Sequence, residues 1–265
     1  MNDKEDIKEF IIKNYSDVAL QGSTGGCCSS ACCCSGQQIN IKDASINIGY
    51  SESDLEGIPI ESNMGLGCGN PIAIAGLKEG EIVLDLGSGG GFDCFLARKQ
   101  VGESGYVIGV DMTPEMVKLA RQNAEQSAYK NIEFRLGEIE HLPVADDSID
   151  VIISNCVINL ALDKQQVFNE TYRVLKAGGR LSISDIVATE EIPDSIKNDL
   201  ASWAGCIAGA ELIDNIEIML KNAGFENISL IPKENSDEII SSWFPGKNLE
   251  KLVASYIIEA EKPGK

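Results

Sequence analysis

Cysteine is the residue type whose number and placement most clearly suggest chemistry in this chain. Nine cysteines occur among 265 residues, and thiolates are soft ligands that prefer soft metals and metalloids. Six of them lie in a loop of small residues or in an apolar helix: Cys27, Cys28, Cys32, Cys33, Cys34 and Cys94. The other three, Cys68, Cys156 and Cys206, lie in glycine-rich segments or at a strand end. These three are the first candidates for a ligand set.

A glycine loop after an apolar strand is the second chemical signal. The run is Asp85-Leu86-Gly87-Ser88-Gly89-Gly90-Gly91, and such a turn lets the backbone approach a cofactor closely. A dinucleotide fingerprint would need a glycine where Phe92 stands, so a nicotinamide cofactor is disfavoured. Asp85 precedes the glycines, where a carboxylate suits the ammonium group of S-adenosylmethionine.

Further cofactor candidates follow the neighbouring strands. Asp111 ends the second strand about 20 residues beyond the last glycine, where a carboxylate can accept ribose hydroxyls. Met112 is placed to pack on an adenine, and the turn Glu138-Ile139 after the third strand is placed to read its amino group. Asn155, at the end of the fourth strand, completes the set. The predicted cofactor residues are Asp85, Gly87, Ser88, Gly89, Asp111, Met112, Glu138, Ile139 and Asn155.

Short apolar strands alternate with helices of about ten residues, which predicts right-handed βαβ units and a parallel sheet. We predict strands at 81–86, 106–110, 132–136, 149–154 and 180–186, with two more at 227–231 and 252–260. The predicted helices span 2–15, 164–175 and 213–222, begin at Phe92, and open with Thr113 as a capping residue. The expected fold class is α/β, a doubly wound, mostly parallel Rossmann-like sheet with a Cys-rich N-terminal extension and a small cap.

Charge and hydropathy restrict the partners. The chain has 22 basic and 41 acidic residues and a net charge of −19, so its surface repels nucleic-acid phosphates and anionic lipids. Neither a signal peptide nor an apolar run of roughly 20 residues is apparent. We therefore expect a cytoplasmic protein that binds neither nucleic acid nor membrane, and a monomer since no heptad repeat occurs. Cytoplasmic cysteines are normally reduced, which predicts free thiols.

The three dispersed cysteines suggest the methyl acceptor. Cys156 follows the fourth strand, at the edge where open α/β sheets bind their ligands, and the segments that carry Cys68 and Cys206 could cap the same edge. Trivalent arsenic is soft and three-coordinate, so three sulfur ligands would leave its lone pair free. Catalysis would then come from positioning two reactants, and no general base would be needed.

Three motifs carry a family resemblance. The runs Gly65-Leu66-Gly67-Cys68-Gly69-Asn70-Pro71, Gly109-Val110-Asp111-Met112-Thr113-Pro114-Glu115-Met116 and Ile153-Ser154-Asn155-Cys156-Val157-Ile158-Asn159-Leu160 resemble those of arsenite methyltransferases, a class I adenosylmethionine-dependent family. The resemblance implies that Cys68, Cys156 and Cys206 bind arsenite. It also implies that a cysteine of the N-terminal cluster joins them, with Cys28, Cys32 and Cys33 as candidates, and that thioredoxin or glutathione restores the thiols.

The expected organisation has two parts. Residues 1–60 form an N-terminal helix and a Cys-rich extension that captures arsenic, and residues 61–265 form the methyltransferase domain, with 190–212 contributing to an arsenic-binding cap. Two other functions stay open at this point. One is a methyltransferase for a small organic acceptor, and the other is a metalloid-binding or sensing protein. Cys94 is interpreted as a packing residue, and His141 as a surface or packing residue rather than a base.

Overall fold

A computed structural model describes residues 4–21, 45–65, 67–127, 129–243 and 246–264. The N-terminal cysteines named above, Cys27, Cys28, Cys32, Cys33 and Cys34, lie outside these residues. The helices are α1 Lys4–Gln21, α2 Glu52–Leu55, α3 Pro71–Ala75, α4 Phe92–Val101, α5 Pro114–Gln126, α6 Lys164–Val174, α7 Asp194–Lys197, α8 Leu200–Ala204, α9 Ile213–Ala223 and α10 Ser236–Trp243. In the described part of the chain, no helix has the length and apolarity needed to cross a membrane.

Seven strands form one sheet. They are β1 Ile82–Leu86, β2 Tyr106–Asp111, β3 Ile132–Leu136, β4 Ile149–Asn155, β5 Leu175–Ala188, β6 Glu226–Pro232 and β7 Val253–Glu261, in the order β3-β2-β1-β4-β5-β7-β6. The first five are parallel, and β7 pairs antiparallel with both β5 and β6. The predicted fold class is confirmed. The order reverses between β1 and β4, which is where open α/β sheets bind ligands.

The central strands are mostly apolar because helices cover both faces of the sheet, and polar residues such as Asp85 and Asn155 lie near their carboxyl ends. Successive side chains of a strand point to opposite faces, so Val83 and Leu84 of β1 belong to different core clusters. Leu84 packs with Ile152 and Phe168 on one face, while Val83 packs with Phe95 on the other. The two layers fix the carboxyl ends of β1, β2 and β4 side by side.

Three local features differ from the sequence prediction. Helix α1 continues to Gln21 rather than ending near Tyr15, and β5 begins at Leu175 rather than at residue 180. Thr113 occupies the N-cap of α5 but makes no side-chain capping bond. Its hydroxyl and its amide both donate to Asp111, with the amide 2.8 Å from Oδ1. The neighbouring acid therefore takes the hydroxyl that the helix would otherwise use.

Helix α1 lies across the carboxyl-end edge of the sheet. The Ser16 hydroxyl donates to Glu115 Oε2 of α5 at 2.7 Å, and the Tyr15 hydroxyl donates to the Ala204 carbonyl of α8 at 3.2 Å. Both contacts join segments far apart in sequence. The helix thus bridges the two sides of the edge where ligands are expected.

Candidate functional site

A cavity of about 320 Å³ opens at the carboxyl ends of β1, β2 and β4. Its lining includes every predicted cofactor residue except Glu138, and it also includes two of the candidate cysteines, Cys156 and Cys206. Helix α1 contributes Phe10, Asn14, Tyr15 and Val18 to the lining. The Glu138 carboxylate instead pairs with Lys8 of α1, with Oε1 and Nζ 2.6 Å apart.

The glycine loop forms one wall of the cavity. Glycine is needed there because the backbone adopts conformations that residues with a side chain disfavour. Gly87, Gly89 and Gly91 have φ values of 66°, 50° and 94°, in the left-handed region that favours glycine. A Cβ at Gly87 would lie 2.3 Å from the Val157 side chain. The amides of Gly87 and Ser88 both donate to the Val110 carbonyl, at 2.7 and 3.0 Å, which ties the loop to β2.

Asp85, which is buried, and Asp111, which is partly buried, both face the cavity. Asp111 accepts hydrogen bonds from the amides of Gly89 at 3.0 Å and Thr113 at 2.8 Å, and burial raises its pKa. Asp85 accepts from the Cys94 thiol at 3.2 Å, and burial, together with the charge of Asp93, raises its pKa well above the ordinary value.

Among the described residues, no lysine or arginine forms an ion pair with Asp85 or Asp111. Buried carboxylates without a cationic partner are costly. A ligand that carries an ammonium and a sulfonium group would supply the missing positive charge. The donor set therefore fits S-adenosylmethionine.

Sequence reasoning missed a buried polar network behind the glycine loop. The Tyr50 hydroxyl donates to Asp93 Oδ1 at 2.6 Å, and the Asn155 amide lies 3.2 Å from Asp93 Oδ2. Burial raises the pKa of Asp93 to about 6. An acid in the first turn of a helix is ordinary, and Tyr50 lies 43 residues earlier, so no local pattern indicated this network.

Asn155 joins the end of β4 to the loop that carries Cys68. Its Oδ1 accepts the Cys68 amide at 3.0 Å, and its Nδ2 donates to the Gly69 carbonyl at 2.8 Å. A Cβ at Gly67 would lie 2.7 Å from this side-chain nitrogen, so the loop packs directly on the amide. The role visible here is to hold Cys68 beside the strand that precedes Cys156.

Cys68 and Cys156 are joined as a disulfide, with their Cα atoms 5.9 Å apart. The expectation of free thiols is therefore wrong for this pair, because the loop and the strand end bring their sulfurs together. Cys94 and Cys206 are free and buried. The Cys206 thiol donates to the Cys156 carbonyl at 3.1 Å, and Cys68, Cys156 and Cys206 share one apolar cluster.

The charged groups around the sulfurs also come from distant elements. Cys68, Cys156 and Asp185 place their ligand atoms within 4.8 Å of one another, a group that does not include Cys206. Burial and the neighbouring charge of Asp185 raise the pKa of the Cys206 thiol, whereas the nearby Tyr15 hydroxyl and the charge of Lys164 lower it. Burial lowers the pKa of Lys164 itself.

Comparison with known proteins places these features in a family. A methyltransferase-domain family model matches residues 77–224. The arsenite methyltransferase of Halobacterium salinarum is 46% identical over 99% of this chain, which spans 68% of that relative. The mouse arsenite methyltransferase is 42% identical over 60% of this chain, and the match spans 44% of that protein.

Two solved structures of methyltransferases have similar folds. An arsenic(III) S-adenosylmethionine methyltransferase from Chlamydomonas reinhardtii superposes with a TM-score of 0.60 at 32% identity, over 84% of this chain and 73% of that one. Phosphoethanolamine N-methyltransferase 2 from Haemonchus contortus, solved with S-adenosyl-L-methionine, gives a TM-score of 0.65 over 85% of this chain and 60% of that one. At 19% identity, the second likeness shows the shared fold alone.

Proposed function

Because this chain belongs to the arsenite methyltransferase family, we propose that it transfers methyl groups from S-adenosylmethionine to trivalent arsenic held by Cys68, Cys156 and Cys206. One observation carries the proposal. The three cysteines share one cluster, and two of them, Cys156 and Cys206, line the cavity that also holds the unpaired carboxylates Asp85 and Asp111.

The cofactor is held by the residues around the glycine loop. Asp85 binds the ammonium group, the amides of Gly87, Ser88 and Gly89 allow close approach, and Asp111 accepts the ribose hydroxyls. Met112 and Ile139 pack against the adenine. When bound, adenosylmethionine would supply its methyl group, and the electron pair of the broken S–C bond would stay on the sulfur.

The sulfur ligands prepare the acceptor. Arsenite exchanges its three hydroxyl groups for three cysteine sulfurs, each thiol proton leaving with a hydroxyl as water. The thiolates make arsenic electron-rich, and its lone pair stays free to form the new As–C bond. The chain holds the two reactants in a reactive geometry, and such positioning can lower the activation free energy by several kcal/mol.

A thiol reductant is part of the proposed reaction. Cys68 and Cys156 can bind arsenic only after their disulfide is reduced, so thioredoxin or glutathione would act as co-substrate.

We also propose that residues 1–60 capture arsenic, with Cys28, Cys32 and Cys33 as candidate ligands, and deliver it to the domain of residues 61–265. Residues 190–212 carry Cys206 and contribute to the cap.

The test is product speciation with purified protein, arsenite, adenosylmethionine and a dithiol. We expect methylated arsenic from the wild type and none from Cys156→Ser or Cys206→Ser, with adenosylmethionine affinity retained. Cys94→Ser is the matched control, because a serine hydroxyl can still donate to Asp85 and Cys94 is buried elsewhere, in α4. Methylation by both active-cysteine variants, or adenosylmethionine turnover that does not require arsenite, would contradict the proposal.

A further inference from the structure

The two cysteines that line the cavity have unusual backbone conformations. Cys156 has a φ of 56° and Cys206 a φ of 60°, in the left-handed region that non-glycine residues rarely adopt. Such conformations persist only where the surrounding contacts enforce them, and they concentrate at functional sites. The contacts that enforce these two therefore identify the residues that set the geometry of the sulfurs.

A buried amide supplies the contact between the two cysteine segments. Asn159 follows Cys156 on the same loop and is 3% exposed. Its Nδ2 lies within hydrogen-bond distance of the Cys206 carbonyl at 3.2 Å and of the Ile186 carbonyl at the end of β5. One side chain thus links the Cys156 loop, the cap and the sheet.

A buried carboxylate holds that amide in turn. Asp185 accepts from the Asn159 amide at 3.1 Å, from the Ile158 amide at 2.9 Å and from the Ile186 amide at 2.7 Å. Its carboxylate also lies within 4.8 Å of the sulfurs of Cys68 and Cys156. Because Asp185 is 2% exposed, these donors replace part of its lost hydration.

The segment that follows Cys206 packs closely against the loop that carries Asn159. A Cβ at Gly209 would lie 2.0 Å from the Asn159 carbonyl, so the chain after Cys206 packs directly on the Asn159 backbone. The Cys206 thiol meanwhile donates to the Cys156 carbonyl at 3.1 Å. Hydrogen bonds and backbone contact, in addition to apolar packing, therefore join the segments that carry the two cysteines.

We propose that Asn159 and Asp185 are positioning residues that fix the distance between the Cys156 and Cys206 sulfurs, so that both can ligate one arsenic atom. The inference rests on the proposed function for its substrate. Neither residue reacts with arsenic. Their effect passes through the Cys206 carbonyl and through the backbone at Ile158, two residues after Cys156.

Arsenite affinity of the reduced protein, measured by calorimetry, tests the proposal. We expect the Kd for arsenite to rise at least about tenfold in Asn159→Ala and in the isosteric Asp185→Asn, because small displacements of reacting groups are costly. Asn159→Asp should lose more, since it keeps the volume but turns an acceptor toward the Cys206 carbonyl. Adenosylmethionine affinity should stay unchanged in all three.

Asn131→Ala is the matched control. The Asn131 amide also joins two loops, through the carbonyls of Gly102 at 3.0 Å and Gly105 at 2.6 Å, but at the opposite end of the strands. It should lose thermal stability to a similar extent and keep its arsenite affinity. Arsenite affinity equal to wild type in folded Asn159→Asp, or arsenite and adenosylmethionine affinities that fall in parallel, would overturn the inference.

The two proposals fail separately. If the wild type methylates arsenite and the variants bind it normally, the positioning role is wrong and the function stands. If the wild type binds arsenite without forming methylated product, the function is wrong, while the affinity series still decides the positioning role.

Discussion

The two ends of the cavity are built in different ways. The cofactor half consists of Asp85, the loop Gly87–Gly91 and Asp111, which span a short stretch of chain and follow adjacent strands. The sulfur half consists of Cys156 and Cys206, which line the cavity, and of Cys68, Asn159 and Asp185, which lie next to them. These residues come from the loop before α3, the segment that follows β4, the last residues of β5 and the segment after α8. One half is local in sequence and the other is assembled by the fold.

The two halves also hold their backbones differently. In the cofactor half, the left-handed conformations belong to glycines, which adopt them at no steric cost. In the sulfur half they belong to Cys156 and Cys206. In our proposal, their support comes from the hydrogen bond that Asn159 donates to the Cys206 carbonyl and from those that Asp185 accepts from Ile158 and Asn159. We therefore expect the cofactor half to respond to changes in charge and volume, and the sulfur half to respond to changes in hydrogen-bond polarity.

Removing the acid ahead of the glycine loop should have the largest effect on the cofactor half. Asp85→Ala leaves a bound ammonium without its buried partner, and truncating one partner of a buried charge pair costs about 3 kcal/mol, or about 100-fold in Kd. Arsenite affinity should be unchanged. Titration calorimetry with each ligand measures both, and Asp146→Ala, at an acid whose side chain is 72% exposed, is the control. A parallel loss of arsenite affinity would show that the halves are coupled.

The same difference explains how much the sequence could predict. The strands and the glycine loop follow from apolar periodicity and from short motifs, so the fold class and the part of the cavity lining that follows the strands could be predicted, whereas the lining contributed by α1 and by Asp93 could not. Glu138 was expected to face the cofactor, yet its carboxylate pairs with Lys8, because the path of α1 over the edge leaves no periodic signal near residue 138.

The sulfur half was only partly foreseeable. Residue type identified Cys68, Cys156 and Cys206, but nothing local indicated that Cys68 and Cys156 would be joined or that Asp185 would lie beside them. Asp185 lies near the end of β5 among buried residues, and its role depends on the segments that pack against that strand end. Long-range contacts of this kind are set by tertiary packing, which a single sequence does not display.

Replacing a glycine by alanine at two positions separates the stability cost of a steric clash from the cost of a left-handed backbone conformation. Gly87 and Gly178 have similar φ values, 66° and 79°, but a Cβ at Gly87 meets Val157 at 2.3 Å while one at Gly178 meets nothing within 4 Å. Gly178→Ala should cost about 1 kcal/mol of unfolding free energy for its backbone conformation, and Gly87→Ala about 3 kcal/mol through the added clash. Denaturant unfolding measures both. Val157 follows Cys156, so the contact between Gly87 and Val157 joins the two halves. Equal stabilities of the two variants would mean that Val157 can move aside at little energetic cost.

Acidity should act on the cofactor half. Burial raises the pKa of Asp93 from its ordinary value of 3.8 to about 6, so the folded protein without ligand binds the extra proton, and its stability falls as pH rises through that window. A cationic ligand favours the ionised acids, so adenosylmethionine affinity should rise between pH 5 and 7, by at most about tenfold per pH unit for each group. Calorimetry in buffers of different ionisation enthalpy would detect the proton released. Asp93→Asn should flatten the profile near pH 6, and an unchanged profile in that variant would assign the titration to another group.

The smallest effect should come from the ion pair that ties α1 over the cofactor half. Lys8 and Glu138 are 37% and 43% exposed, and exposed pairs contribute about 0.2–1 kcal/mol. Lys8→Met should therefore weaken adenosylmethionine binding less than about fivefold, and the difference should shrink at high salt. Glu138→Gln separates the two possible roles of this acid. If it acts only through Lys8, the two single variants and the double variant should have equal affinities, whereas a much larger loss in Glu138→Gln would mean that this carboxylate contacts the cofactor directly, as its position after β3 suggested.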